Sequence, residues 1–127
     1  MTDKHSHILL IEDNPNNIKL IVMLLEQQEY KVSVAVDAES GIELAKSVYP
    51  DMILLDIQLP EMDGMEACRI IRGDPKLAYI PIIALTAFAM PGDKDRILAS
   101  GFDEYMAKPF NYREFLKLVE RLIKGTS

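Results

Sequence analysis

The chain has 127 residues and a formal net charge of -6, with one cysteine and no tryptophan. A chain of this length buries roughly two-thirds of its unfolded surface as one domain and needs no disulfide or metal staple to fold. The acidic balance argues against a nucleic-acid face, because phosphate binding needs a basic patch that releases counterions. The longest uncharged stretch, which includes Leu77 to Pro91, is shorter than a membrane span and is interrupted by Pro81, and the polar start of the chain lacks the apolar core of a secretion signal. A cytoplasmic protein with no membrane insertion is the expectation.

In chain order, residues 1–6 read as a mobile tail. His5 and His7 are close enough in sequence to share a metal, but two histidines in a polar terminus more often mark mobility. The apolar run Ile8 to Ile11 ends on Glu12-Asp13. Asn14-Pro15 then reads as a cap with proline at the first helical position, and Ile18, Ile21, Val22 and Leu25 keep the i, i+3, i+4, i+7 spacing of a helix. Val32 to Val36 is a second run. Ala38, Ile42, Ala45 and Tyr49 give a weaker helical stripe, with Pro50 just past its end.

The third run, Met52 to Leu55, delivers Asp56 to a loop, Ile57 to Gly64. The helix after Gly64 is the least sharply marked. Within it Cys68 lies at helical spacing between Met65 and Ile71, where a small buried hydrophobe is the better reading than a reactive thiol, as suits a reducing compartment. Arg72-Gly73-Asp74 spells an adhesion tripeptide, but Pro75 follows and the segment reads as a helix end and turn. Ile80 to Leu85, followed by Thr86, is the fourth run. Gly101 closes a helix containing Ile97 and Leu98. Glu104 to Ala107 is the fifth run and leads to Lys108-Pro109. Asn111 and Glu114 then form a capping box ahead of Phe115, Leu118, Val119 and Leu122.

Runs this short and continuous suit strands buried on both faces. Strict alternation with helices predicts an α/β fold of three layers: a doubly wound parallel sheet with right-handed crossovers and helices on both sides. Ligands of such sheets sit at the carboxyl ends of the strands. Glu12-Asp13, Asp56, Thr86 and Lys108 all fall there, from four separate segments. Singly, Lys108 reads as a solvated residue before a turn and Thr86 as a strand-end hydroxyl bonded to backbone. Their coincidence favours a site.

If Glu12, Asp13 and Asp56 converge, each pair of charges about 4 Å apart repels by about 4 kcal/mol at an effective dielectric of 20. Such a cluster needs a cation or a raised pKa, and an all-oxygen, incompletely filled site suits Mg²⁺. The metal would bring a phosphoryl group to a carboxylate that otherwise repels it, making Asp56 a candidate nucleophile in an in-line transfer. Lys108 offers fixed positive charge, and Thr86 a hydroxyl for a phosphoryl oxygen.

With Leu10-Ile11-Glu12-Asp13-Asn14, Asp56 and its Pro60 and Gly64 loop, Thr86-Ala87 and Lys108-Pro109, the chain resembles the receiver domain of bacterial two-component response regulators over nearly its whole length. Asp13 to Asn17, Leu55 to Pro60 and Thr86 to Met90 look most like stand-alone receivers of the DivK type. The resemblance implies a flavodoxin-like sheet in strand order 2-1-3-4-5 with five helices, in one domain spanning 1–127 with a core of about 7–124.

It further implies that Asp56 is the phosphoacceptor, Asp13 a direct Mg²⁺ ligand, Glu12 a ligand directly or through water, and Gln58 a ligand by its backbone carbonyl, with Mn²⁺ as a substitute metal. Thr86 would swing to the phosphoryl group and Lys108 would pair with it, with a cis peptide bond at Lys108-Pro109. Tyr105 would be an aromatic switch, inward when Thr86 is engaged, although half-buried strand packing also accounts for a tyrosine there. The output surface would include Ala89, Met90, Tyr105 and Tyr112, of which Met90 and Tyr112 also fit ordinary surface apolars.

The donor would be a sensor histidine kinase or a histidine phosphotransfer protein, the output a downstream protein target, and the state a monomer or a phosphorylation-dependent dimer. Ending at Ser127, the chain is expected to work alone, as a switch rather than an enzyme. An aspartyl-nucleophile phosphohydrolase of the haloacid dehalogenase type needs a second Asp where Gln58 stands, so only slow self-hydrolysis is expected, tuned by neighbours such as Gln58 and Phe88. A flavodoxin-like cofactor binder needs a Ser-, Thr- or Gly-rich loop where Asp13-Asn14-Pro15 stands. A pseudo-receiver that binds partners without phosphorylation would have lost an acidic or lysine position.

Overall fold

The computed structural model describes residues 6–59, 61–87, 92–108 and 111–124. Its elements alternate strictly: β1 (His7–Ile11), α1 (Pro15–Gln27), β2 (Lys31–Ala35), α2 (Ala38–Val48), β3 (Met52–Asp56), α3 (Gly64–Arg72), β4 (Ile82–Thr86), α4 (Asp93–Ala99), β5 (Glu104–Ala107) and α5 (Tyr112–Lys124). All strand pairs are parallel, in the order β2-β1-β3-β4-β5. This is the flavodoxin-like receiver arrangement that the sequence resemblance implies.

Successive strand residues point to opposite faces, and here both faces are covered. Leu9, Ile11, Ile53, Leu55, Ile82 and Ala84 pack with α2, α3 and α4, while Ile8, Leu10, Met52, Leu54, Ile83 and Leu85 pack with Ile21, Leu24 and Leu25 of α1 and Phe115 and Val119 of α5. The three central strands are therefore continuous apolar runs, as two-sided burial requires.

The edges depart from that expectation. β2 pairs only with β1, stops at Ala35 and leaves Val34 and Val36 exposed; β5 is half-buried throughout. β4 begins at Ile82 rather than Ile80, because Pro81 has no N–H for the ladder and Ile80 N donates instead to Leu77 O in a turn. Tyr49 leaves the α2 stripe: it is the C-cap, left-handed at φ 47, and exposed.

Caps define the helix starts. Asn14 Oδ1 accepts from the N–H groups of Asn16 and Asn17, Asp63 Oδ1 from Glu66 N, and Asn111 Oδ1 from Arg113 N and Glu114 N. The Asp63 cap explains why α3 is well formed. Gly101, at φ 114, supplies the left-handed turn after α4.

His7 is not part of a tail. It opens β1, with Nε2 2.6 Å from Ser33 Oγ and its N–H donating to Asp51 Oδ2; His5 lies outside the described residues. The Arg72-Gly73-Asp74 segment is a helix end, and Arg72 is committed internally. Its guanidinium donates to the carbonyls of Gly101, Ala78 and Ile80 and pairs with Asp103 at 2.7 Å.

Candidate functional site

Three strand ends meet at one edge of the sheet. β1 hands on to Glu12, whose side chain is fully buried and whose N–H still donates to Ala35 O. β3 ends on Asp56, 3% exposed. Beyond β5, Lys108 is held by its own N–H, which donates to Thr86 O at 2.7 Å. From there Lys108 Nζ reaches Glu12 Oε1 and Asp56 Oδ2, both at 2.9 Å.

Asp13, exposed, completes an acidic cluster: one carboxylate oxygen each from Glu12, Asp13 and Asp56 lies within 4.8 Å of the others. Three carboxylates against one ammonium give a local formal charge of about -2, the complement of a divalent cation. Backbone donors also reach two of the carboxylates. Asn14 N donates to Glu12 Oε2 at 3.1 Å and Gln58 N to Asp56 Oδ1 at 2.8 Å.

Burial pushes the Glu12 carboxyl above its ordinary range, against the hydrogen bonds from Lys108 and Asn14, and the nearby Asp56 charge adds to the rise. Burial alone would depress the Lys108 ammonium, but hydrogen bonds to Glu12 and Asp56 outweigh it and raise its pKa. Lys108 therefore stays charged.

Two features shape the loop after Asp56. Gly64 N donates to Ile57 O at 2.8 Å, and a Cβ on Gly64 would lie 2.6 Å from Ile57 Cα and 2.7 Å from Asp56 O, so only glycine lets α3 start this close to the end of β3. Gln58 bridges outward: its Oε1 accepts from Ala87 N at 3.0 Å, beside the buried Thr86.

The structure thus brings together Glu12, Asp13, Asp56 and Lys108, with Thr86 and Gln58 at the same strand ends. Tyr105 lies further off, half-buried against the α2, α3 and α4 layer, with Lys94 Nζ 5.9 Å from its ring centre. Tyr112 is exposed in the first turn of α5. Phe88, Ala89, Met90 and Pro109, and with Pro109 the expected cis bond, lie outside the described residues. The Gln58 side-chain bond has no signal in the sequence, and the Lys108–Glu12 pair has none beyond the strand-end position of both residues. Cys68 is fully buried, and burial pushes its thiol up to about 11. Among the described residues no helix is long and apolar enough to cross a membrane.

Comparisons with known proteins place the chain in a family. The chain is 38% identical over 113 residues to the polar-differentiation response regulator DivK of Brucella ovis, spanning 89% of this chain and 92% of that protein. It is 39% identical over 119 residues to the signal transduction histidine-protein kinase BarA of Escherichia coli K12, spanning 94% of this chain and 13% of the kinase. The receiver domain of the sensor histidine kinase PA1611 from Pseudomonas aeruginosa PAO1, solved with a magnesium ion coordinated in its active site cleft, matches with a TM-score of 0.87 at 39% identity, over 94% of this chain and 98% of that one. The family model for the response regulator receiver domain matches residues 8–120, and the chain belongs to that family.

Proposed function

We propose that this protein is a phosphoacceptor receiver, one domain over its length, in which Asp56 takes a phosphoryl group from a phosphohistidine and the modified form signals to a protein partner. The observation that carries this reading is the meeting of Asp56, the Glu12-Asp13 pair and Lys108 from three strand ends, with Lys108 Nζ 2.9 Å from the proposed nucleophile.

The donor set fits Mg²⁺: the ligands are hard carboxylate oxygens, and Asp13 is open to solvent while Glu12 and Asp56 are buried. Asp13 and Asp56 would hold the ion, with Glu12 directly or through water and the Gln58 carbonyl in support. Mn²⁺, with the same ligand preference, would substitute. The bound ion would offset the local negative charge that otherwise repels a phosphoryl group.

In the transfer an Asp56 oxygen forms the new P–O bond as the P–N bond of the donor breaks, and the imidazole nitrogen leaves with the electron pair. Lys108 holds its proton throughout and stabilises charge on the transferring oxygens. Thr86 would hydrogen-bond a phosphoryl oxygen. Signal output then requires a two-state element, for which Tyr105 and the surface of α4, β5 and α5 are the candidates. The donor would be a histidine kinase or histidine phosphotransfer protein in the cytoplasm. Turnover would be limited to slow self-hydrolysis.

The test is intact mass after incubation with acetyl phosphate, with Mg²⁺ or with chelator, for the wild type and Asp56→Asn. Gain of one phosphoryl group that needs both Mg²⁺ and Asp56 is the expected result. Absence of any gain would replace this reading with a binding module that works unphosphorylated.

A further inference from the structure

We infer that the Gln58 side chain is a latch that ties the acceptor loop to the exit of β4 in the unphosphorylated protein and must release for the phosphorylated state to form. The inference rests on Asp56 being the phosphoacceptor. Gln58 makes two bonds from one residue. Its N–H donates to Asp56 Oδ1 at 2.8 Å, and its side-chain Oε1 accepts from Ala87 N at 3.0 Å. The first bond senses the state of the carboxylate. The second holds the residue just past β4, the strand that pairs with β3 through Leu85 and Asp56.

Phosphorylation changes both ends of this bridge. The new P–O bond consumes one Asp56 oxygen and its negative charge. If that oxygen is Oδ1, the acceptor for Gln58 N is lost; if it is Oδ2, the remaining oxygen is a neutral carbonyl and a weaker acceptor. In either case anionic phosphoryl oxygens arrive at the strand ends where Ala87 N–H lies. They are stronger acceptors for that N–H than the neutral amide oxygen of Gln58. The Gln58–Ala87 bond is solvent-exposed, so the released amide can hydrate, and the latch opposes phosphorylation only weakly. A single hydrogen bond of this kind is worth roughly a two- to tenfold change in an equilibrium.

Gln58→Met keeps the length of the side chain, removes the acceptor and leaves the backbone intact. Two measurements at saturating Mg²⁺ test the latch: solvent exchange of the Ala87 amide by NMR in the free protein, and the affinity for beryllofluoride, a stand-in for the phosphoryl group. The expected result is faster Ala87 exchange in Gln58→Met and roughly two- to tenfold tighter beryllofluoride binding than in the wild type. Unchanged exchange would overturn the proposal by showing that the bond is not held in solution. Faster exchange with unchanged or weaker beryllofluoride affinity would overturn it by showing that the bond does not oppose the activated state. Failure of the wild type itself to bind beryllofluoride would instead remove the phosphoacceptor reading, and the latch with it. The unfolding midpoint of the variant separates these outcomes from a loss of fold.

Discussion

Lys108→Met isolates the charge that balances the acidic cluster, because methionine preserves much of the apolar stem and removes the ammonium. In the wild type that ammonium lies 2.9 Å from Glu12 and from Asp56, whose side chains are nearly inaccessible to solvent. Without it, carboxylate oxygens within 4.8 Å of one another repel by about 3.5 kcal/mol per pair at an effective dielectric of 20. Relief is available by protonating Glu12. From its ordinary value of 4.5, neutralising one such carboxyl at pH 7 costs about 3.4 kcal/mol.

Both routes place the loss of stability at up to about 3 kcal/mol at pH 7 without divalent metal, in line with the cost of orphaning a buried charge. The sign with pH follows from the raised carboxyl pKa of the folded variant. Such a group contributes stability that is present below its unfolded pKa and lost as pH rises through its folded one. The deficit relative to wild type should therefore shrink as pH falls from 7 to 5.5. Where Glu12 is ionised, Mg²⁺ should bind the variant more tightly, since the local charge is then more negative, and should recover stability as its concentration exceeds Kd. Urea unfolding at both pH values, with chelator and with Mg²⁺, reads all three effects. A deficit that is flat with pH, together with unchanged Mg²⁺ affinity, would refute this role for Lys108.

Gly64→Ala would place a Cβ 2.6 Å from Ile57 Cα and 2.7 Å from Asp56 O, against backbone that cannot rotate away; we expect a loss of about 1–3 kcal/mol and impaired phosphoryl uptake, and unfolding curves matching the wild type would sink the close-approach argument. Cys68, with its thiol near 11 against an ordinary 9.0, should resist iodoacetamide at pH 8 in the native state, because its thiolate fraction is about a hundredfold below that of an ordinary thiol; native labelling at the rate of the unfolded chain would contradict this. His7 should titrate below 6.5, because burial and then the Lys31 charge disfavour its protonated form while Asp51 opposes them. Its contribution to stability is present above 6.5 and lost as pH falls through the folded value. An NMR titration showing an ordinary or raised His7 pKa would count against the part-buried contact with Ser33.

What the sequence determined by itself is the set of elements and the strand-end position of each polar group, because both depend on local periodicity. A continuous apolar run ending in Asp56, or a capped 3.6-residue stripe such as Ile18 to Leu25, carries its own signature. That physics fails at boundaries and edges: Tyr49 fits the stripe but turns left-handed, Ile80 is apolar but lies before Pro81, and β2 reads like a central strand although it has one neighbour. Strand order was not legible from periodicity and came from the family resemblance. Only the tertiary structure decided which charges meet. Lys108 joins Asp56 across 52 positions and Glu12 across 96, and Gln58 joins Ala87 across 29. Such pairings depend on strand order, register and side-chain rotamer together, and no local pattern of residues encodes them.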